Sequence, residues 1–538
     1  MSYLMPVASL RSISTFALWR RHVAIATGAF AASVGHGAQP PILPAGFDVN
    51  PALEMHLIAA EPLLSSPVAI AFDEHARLFV AEMIDYPYEN QKMIGRVSLL
   101  TDTDGDGRYD HRTTFAEKLS WPSGIIWTQG GVLLASTPHL LFLKDTDGDG
   151  RADVRKIVYT GFGNTRPMPF ADMVANGLSW GLDHRIHGAT SINNGRVVPG
   201  DSPKAEPIDL TGRDFSIDPT TMSLRPETGG SQFGLSFDAY GRKFVTNASY
   251  PSAVMYDQRY EGRNPYFELP KVLLRIFTEA PESAVFRISP EEKWRVLRTQ
   301  SRASGKTSGP LEGGRASGYI TSAAGVTIYR GDALPAAFNG NLFLGEPANN
   351  LVLRKNMEAR GVTFSARRPA DEAGREVVRS RDLNFRPVNF ANTPDGSLYI
   401  IDMHRELIED AEAIPREIRQ EAGVNAHGGR ETGRIYRLSA KGNGPRKMVG
   451  LADLSSAELA ARLESPNGWV RDTAARLLHE RQDRNVAGAV ERIAQGSRAG
   501  YSRLQALHVL EGLGRLTATR VREALRDPDP SVREGVVR

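Results

Sequence analysis

The stretch that decides the fold is FGLSFDAYGRKFVTN, Phe233 to Asn247. An apolar run ends in a polar turn with Asp and Gly, and a second apolar strand closes on Thr and Asn. This is a β-hairpin pattern. The same pattern returns as VAIAFDEHARLFVAE (Val68–Glu82), SGIIWTQGGVLLAST (Ser123–Thr137), LPAAFNGNLFLGE (Leu334–Glu346) and VNFANTPDGSLYIID (Val388–Asp402), with a degenerate copy in NGLSWGLDHRIHGAT (Asn176–Thr190). Most copies start a little over fifty residues apart. The step from Phe233 to Leu334 is nearly double and holds an insertion or an unseen copy. A hairpin unit of this size cannot bury both faces alone, so the units must stack in a ring. The fold class is mainly β: a six-bladed β-propeller over residues 46–440, with a seventh blade left open. Residues 300–318 read as a Ser-, Gly- and Arg-rich surface insertion, and 366–381 as a charged, strand-poor connection.

The pattern changes near Lys441. SSAELAARL opens with Ser455 three residues before Glu458, a capping-box signature. SPNGWVRDTAARLLHER follows, with Val470, Ala474, Leu477 and Leu478 on one helical face. DPDPSVREGVVR repeats its register 62 residues later. Residues 451–538 are therefore expected to form helical hairpins of the HEAT or armadillo kind, and the helix still running at Arg538 suggests a repeat array that continues. At the other end, Arg11, Arg20 and Arg21 precede a short apolar run, Val23–Gly35, which reads as a signal peptide over residues 1–38 and implies export or a periplasmic location. A frayed tail is the competing reading.

A net charge of +3 over 538 residues gives no electrostatic case for nucleic acid. The chain has no cysteine, which excludes disulfides, thiolate metal sites and covalently attached haem within it. No Ser-His-Asp pattern, phosphate-cradling loop or zinc spacing stands out. Two nearly identical acidic loops do: DTDGDGRYD from Asp102 and DTDGDGRAD from Asp145. Asp102, Asp104, Asp106 and Asp110 occupy positions one, three, five and nine of a calcium-type loop, as do Asp145, Asp147, Asp149 and Asp153. Alternating carboxylates around a Gly turn can converge on a hard cation, so calcium is expected as a cofactor. Position twelve is Thr113 or Lys156, so neither is an EF-hand. The bland alternative is a turn whose Asp and Gly residues satisfy local geometry.

GGVLLASTPHLLFLKDTDGDGRADVRKIVYTGFG, GGSQFGLSFDAYGRKFV, GYITSAAGVTIYRGDALP and RPVNFANTPDGSLYIIDMHRELIE together resemble the propeller of the planctomycete–verrucomicrobial (PVC-type) membrane-bound dehydrogenase family. That family is related to the soluble quinoprotein glucose and sorbosone dehydrogenases and often adds HEAT repeats and a cytochrome c domain. The resemblance runs from Phe47 to Leu438. It implies pyrroloquinoline quinone (PQQ) as cofactor, oxidation of a sugar or alcohol, and electron transfer to a cytochrome c domain or protein. Two departures weaken it. There is no CxxCH, so no haem lies within this chain. The general-base His is also missing: ADMVANGL offers Asp172 and Asn176 instead, and Gly230 and Ser231 stand where an Arg-Asn pair belongs.

Ligand sites of propellers lie at the channel mouth, so polar residues at the ends of the inner hairpins are candidates. Arg386 and Arg405 could pair with quinone carboxylates, with Gln232 beside them. Asp402 or His404 could take the proton of a substrate hydroxyl. Glu82, Asp85 and Glu346 occupy similar ends. The competing reading makes all of these ion pairs that tie blades together. His184 and His187 are expected at a strand edge. Trp121, Trp127 and Trp180 are expected in inter-blade core, where one could instead stack on a sugar. The leading expectation is an exported, calcium-dependent quinoprotein-type dehydrogenase. The alternative is a non-catalytic propeller–HEAT module that binds a carbohydrate or, through its helical repeats, a protein. Arg, His and Asp around a flat slot in the channel would favour the first, and an apolar plug the second.

Overall fold

A computed structural model describes residues 46–538 apart from 166–170, 258–262, 269–270, 279–283, 309–313 and 410–412. The expected signal peptide lies outside the described residues. Among the described residues no helix is long and apolar enough to cross a membrane.

Six antiparallel sheets form the propeller. Blade 1 contains Pro67–Phe72, Leu78–Glu82, Gly95–Thr101 and His111–Leu119, from the inside outwards. Blade 2 starts with Pro122–Thr128 and Gly131–Ser136, blade 3 with Asn176–Trp180 and Ile186–Ala189, and blade 4 with Leu235–Phe237 and Lys243–Thr246. Blade 5 starts with Ala324–Ile328 and Leu342–Glu346, and blade 6 with Pro387–Asn392 and Leu398–Asp402. The innermost strands touch in the order 1-2-3-4-5-6-1, which closes the ring and leaves no place for a seventh blade. The early strand Leu53–Ala59 supplies the outermost strand of blade 6, with Met55 opposite Leu438. The ring is thus latched by main-chain hydrogen bonds between its first and last segments.

Three sequence expectations are corrected. The first strand of blade 5 is Ala324–Ile328, ten residues before the Leu334 hairpin start; Pro335 and Ala336–Phe338 instead form a short 3-10 turn inside the first connection. The double-length gap before it is filled by a connection that carries the helix Lys293–Ala303, in part of the stretch read as an irregular insertion. The connection read as strand-poor contains Val378–Ser380, which pairs with Phe47–Val49.

The inner strands share a local device. In blades 1, 2, 3, 5 and 6 the register between first and second strands slips near its start. Such bulges bend a strand and raise its twist. Ala69, Gly124, Gly177, Gly234, Gly325 and Asn389 occupy this level. A Cβ on Gly325 would meet Asn389 Cα and Val388 O at 2.6 Å, and one on Gly234 would meet Val326 N at 2.7 Å. The inner strands of neighbouring blades therefore approach backbone to backbone at this level, a waist between the two ends of the ring.

The C-terminal part is three stacked helical hairpins: Ser456–Arg462 with Gly468–Arg481, Ala487–Gly496 with Gly500–Gly512, and Ala518–Ala524 with Pro530–Val537. The capping box at Ser455 and Glu458 forms as expected. The 62-residue offset spans two hairpins, because Gly500–Gly512 intervenes. Arg471, Arg503 and Arg533 mark the repeat: each donates from Nη1 to the carbonyls five and six residues before it, Arg471 to Ser465 and Pro466, Arg503 to Ser497 and Arg498, Arg533 to Asp527 and Pro528.

Candidate functional site

The helical hairpins lie across one end of the propeller and bond the turn between first and second strands in every blade. Glu74 of blade 1 pairs with Arg476 at 3.0 Å. Gln129 N of blade 2 donates to Glu480 at 3.1 Å. His184 of blade 3 hydrogen-bonds His508 O at 2.6 Å and stacks on His479 with centroids 4.4 Å apart. Arg242 of blade 4 pairs with Glu534, and Arg330 of blade 5 with Asp472. Asn467 Nδ2 donates to Thr393 O and Pro394 O of blade 6. His184 is thus an interface residue, while His187, on its strand, pairs with Asp183 at 3.1 Å.

Under this cap sits a chamber of about 210 Å³ on the channel axis. Its walls combine Trp127, Ser179, Trp180, Ser236, Asn389 and Asn392 of the propeller with Trp469, Asp472 and Arg476 of the first hairpin. Trp121 and Trp127 are buried core as expected, the latter 5.0 Å from Phe79. Trp180 is half-buried and faces the chamber.

The opposite mouth holds a pocket of about 90 Å³, on the far side of the waist. Val68, Met83, Tyr86, Phe233, Val388 and Met403 make it apolar; Gln232 and Ser322 are its polar members. Gln232 Oε1 accepts Ala248 N at 3.1 Å. Of the residues singled out as catalytic or quinone-binding, Gln232 alone reaches this mouth.

Arg386 and Arg405 are 1% and 0% exposed. The Arg386 guanidinium donates to Arg405 O, Pro347 O and Glu406 O and pairs with Glu292 at 2.8 Å. Arg405 donates to Ser66 Oγ and Ile84 O. Asp402 is fully buried, and its Oδ1 accepts Arg386 N at 2.7 Å and His404 N at 2.8 Å. Burial pushes its carboxyl up to about 6 against the pull of His404. His404 Nε2 pairs with Asp382 at 3.1 Å and Nδ1 lies 2.9 Å from Thr432 Oγ1. Each of these side chains is engaged within blade 6 and its neighbours.

Glu82 and Glu346 repeat the geometry of Asp402. Each ends the second strand of its blade and accepts main-chain N–H groups from the segment leading into the first strand: Ser65 N at 2.7 Å for Glu82, Ser322 N at 3.1 Å for Glu346. Asp85 accepts Trp121 N at 2.8 Å and Asp214 accepts Gly230 N at 2.9 Å in the same way, one blade on. Buried acids at or near the ends of strands therefore staple the blades. Glu292, Asp214 and Asp382 were missed from the sequence because they lie off the inner-hairpin pattern.

PQQ is a tricarboxylate, and a mouth that held it would offer cations. Among the described residues none lines this one; Arg386 is committed to carbonyls and Glu292, and Arg405, held by Ser66 Oγ and Ile84 O with its Nη1 unpartnered, is buried away from it. The described residues at this mouth do not fit the quinone.

The acidic loops are tips between third and fourth strands of blades 1 and 2, each docked on the previous blade: Tyr109 N donates to Ile58 O, Ala152 N to Phe115 O. Asp102, Asp104 and Asp106 bring carboxylate oxygens within 4.8 Å of one another, as do Asp145, Asp147 and Asp149. Three convergent carboxylates suit a hard cation. The position-nine residues stand outside both clusters: Asp110 binds Thr103 and Asp153 binds Thr146 through both main chain and hydroxyl. Those hydrogen bonds hold both carboxyls below their ordinary range.

No curated protein matches the sequence. Among solved structures, a Thermus thermophilus oxidoreductase described as a glucose dehydrogenase is 14% identical with a TM-score of 0.40, covering 72% of this chain and 99% of its own. The PQQ domain of Coprinopsis cinerea pyranose dehydrogenase in its holo form is 12% identical with a TM-score of 0.39, covering 75% and 98%. A calcium structure of a Trichoderma reesei carbohydrate-active enzyme of family AA12 is 12% identical with a TM-score of 0.40, covering 76% and 100%. Residues 45–442, the whole propeller, match the family model described as a domain of unknown function, DUF7133, and the chain belongs to that family.

Proposed function

We propose that this protein is a non-catalytic binding module, a propeller with a helical cap that holds a ligand, and not a sugar dehydrogenase. One observation carries the reading: among the described residues the open mouth of the channel is lined by apolar groups, while Arg386, Arg405 and Asp402 are buried in contacts that build blade 6. A quinone enzyme needs cations and a base presented to solvent at one place. Fold likeness to sugar dehydrogenases does not supply them. On this reading a cytochrome c acceptor is not required. Calcium keeps a structural part, stiffening the two acidic tips, and the helical hairpins keep a protein partner open. Export rests on residues 1–38.

The test is a titration of the intact chain with PQQ and calcium, read by quinone absorbance and by dye-linked oxidation of sugars and alcohols. The expected result is no spectral shift and no turnover. Cofactor-dependent turnover that falls in Arg386→Ala or His404→Ala would overturn the reading and restore the dehydrogenase.

A further inference from the structure

We infer that the chamber between the propeller and its helical cap binds one neutral sugar ring, the size of a single pyranose. The inference rests on the binding-module reading and names its ligand.

Size sets the first limit. Drug-sized ligands occupy pockets of about 300–1,000 Å³. A chamber of about 210 Å³ is smaller. It has room for one ring and not for an extended chain.

The walls set the second. Trp180 comes from the end of a propeller strand and Trp469 from the first turn of the helix Gly468–Arg481, so each domain contributes one half-buried indole. Trp180 is held by its Nε1–H, which donates to Trp127 O at 3.2 Å. Asn467 Oδ1 fixes the helix start by accepting Trp469 N at 2.9 Å. Flat aromatic faces suit the C–H face of a pyranose. Ser179 and Asp472 add a hydroxyl and a carboxylate to the same walls, which suit a ligand rich in hydroxyl groups.

Charge sets the third. Asp472 already holds Arg330 in a two-point pair, and Arg476 holds Glu480 and Glu74, each at 3.0 Å. An anion or a cation would have to break one of these part-buried pairs and strand its partner, which is costly. A neutral polyol can accept from the arginines and donate to the carboxylates with the pairs intact. A lipid tail is disfavoured because a chamber this polar holds water.

The test titrates the intact chain with D-glucose, D-galactose, D-xylose and N-acetyl-D-glucosamine, following tryptophan fluorescence and thermal unfolding. At least one sugar should give a saturable fluorescence change and a higher unfolding temperature. Trp180→Ala should weaken that binding at least about tenfold, the loss of ring contact. Ser179→Phe, which fills the chamber from its wall, should abolish it while circular dichroism and unfolding stay cooperative. Absence of a saturable response to all four sugars overturns the inference, as does undiminished affinity in both variants. Quinone binding in the parallel titration overturns the binding-module reading instead, so the two failures are separable.

Discussion

Gly325→Ala tests the close approach of neighbouring inner strands at the waist. Its φ is +64°, in the left-handed region, and an added Cβ would lie 2.6 Å from both Asn389 Cα and Val388 O of blade 6. Gly361 is the control: φ is +60°, and a Cβ there meets nothing within 4 Å. Both substitutions incur the left-handed cost of about 1–2 kcal/mol. Only Gly325→Ala also forces two backbones apart, and overpacking of this kind costs a further ~1–3 kcal/mol. Unfolding entropy scales with length, so in a chain this long each kcal/mol moves the midpoint by roughly 1 °C. Gly361→Ala should lower the calorimetric midpoint by about 1–2 °C and Gly325→Ala by about 2–5 °C. Equal shifts would refute the close approach of blades 5 and 6.

Two further expectations concern charge. Glu346 is fully buried, and burial raises its carboxyl from 4.5 to about 7 despite hydrogen bonds from Ser322 and Asn349. A raised acid binds its proton in the folded state first, so this residue's contribution to stability falls as pH rises from about 4.5 to about 7. Glu346→Gln should therefore be more stable than the parent at pH 8 by up to about 3 kcal/mol, and no more stable at pH 4, by denaturant titration at both values; an equal loss at both pH values would refute it. For the acidic tips, calcium should raise the unfolding midpoint, by about 2.7 kcal/mol of stability for each tip at a hundredfold excess over its dissociation constant. The double variant Asp104→Asn, Asp147→Asn should lose that response, and a response unchanged by it would place the ion elsewhere.

Much of the propeller was legible because its inner hairpins follow a two-residue alternation broken by Asp-Gly turns. Blade 5 was misplaced by ten residues because Leu334, Ala336 and Phe338 look like a strand, whereas Tyr329 OH, accepting Ala333 N and Leu334 N, pins that stretch into a turn. The middle helical hairpin escaped notice for a related reason. Asn467 and Asp529 announce their helices with capping side chains, but Ala499 has no side-chain acceptor, so only the repeated arginine at 503 marks the copy. The acidic loops were read correctly as paired tips, although spacing alone could not show that Asp110 and Asp153 turn back to a threonine.

The candidate site was harder to read, and the reason is general to closed sheets. A strand that ends at the channel mouth leaves the next segment's N–H groups without sheet partners, and a buried donor must find an acceptor. An Asp or Glu at the strand's end supplies it, as Asp402, Glu82 and Glu346 do. A ligand-binding acid at the same end would carry the same sequence signature, so position along the hairpin cannot separate the two roles. What separates them is the second oxygen and its access to solvent. Glu346 spends both oxygens on Ser322, Thr321 and Asn349. Asp402 leaves Oδ2 without a partner, but it is buried away from the mouth. The chamber residues show the reverse: Trp180 and Asp472 belong to different domains, far apart in sequence. Neither signals function until the cap is laid across the ring. A site built between repeat domains is therefore the kind that pattern reading along one chain passes over, and the one to probe with ligand first.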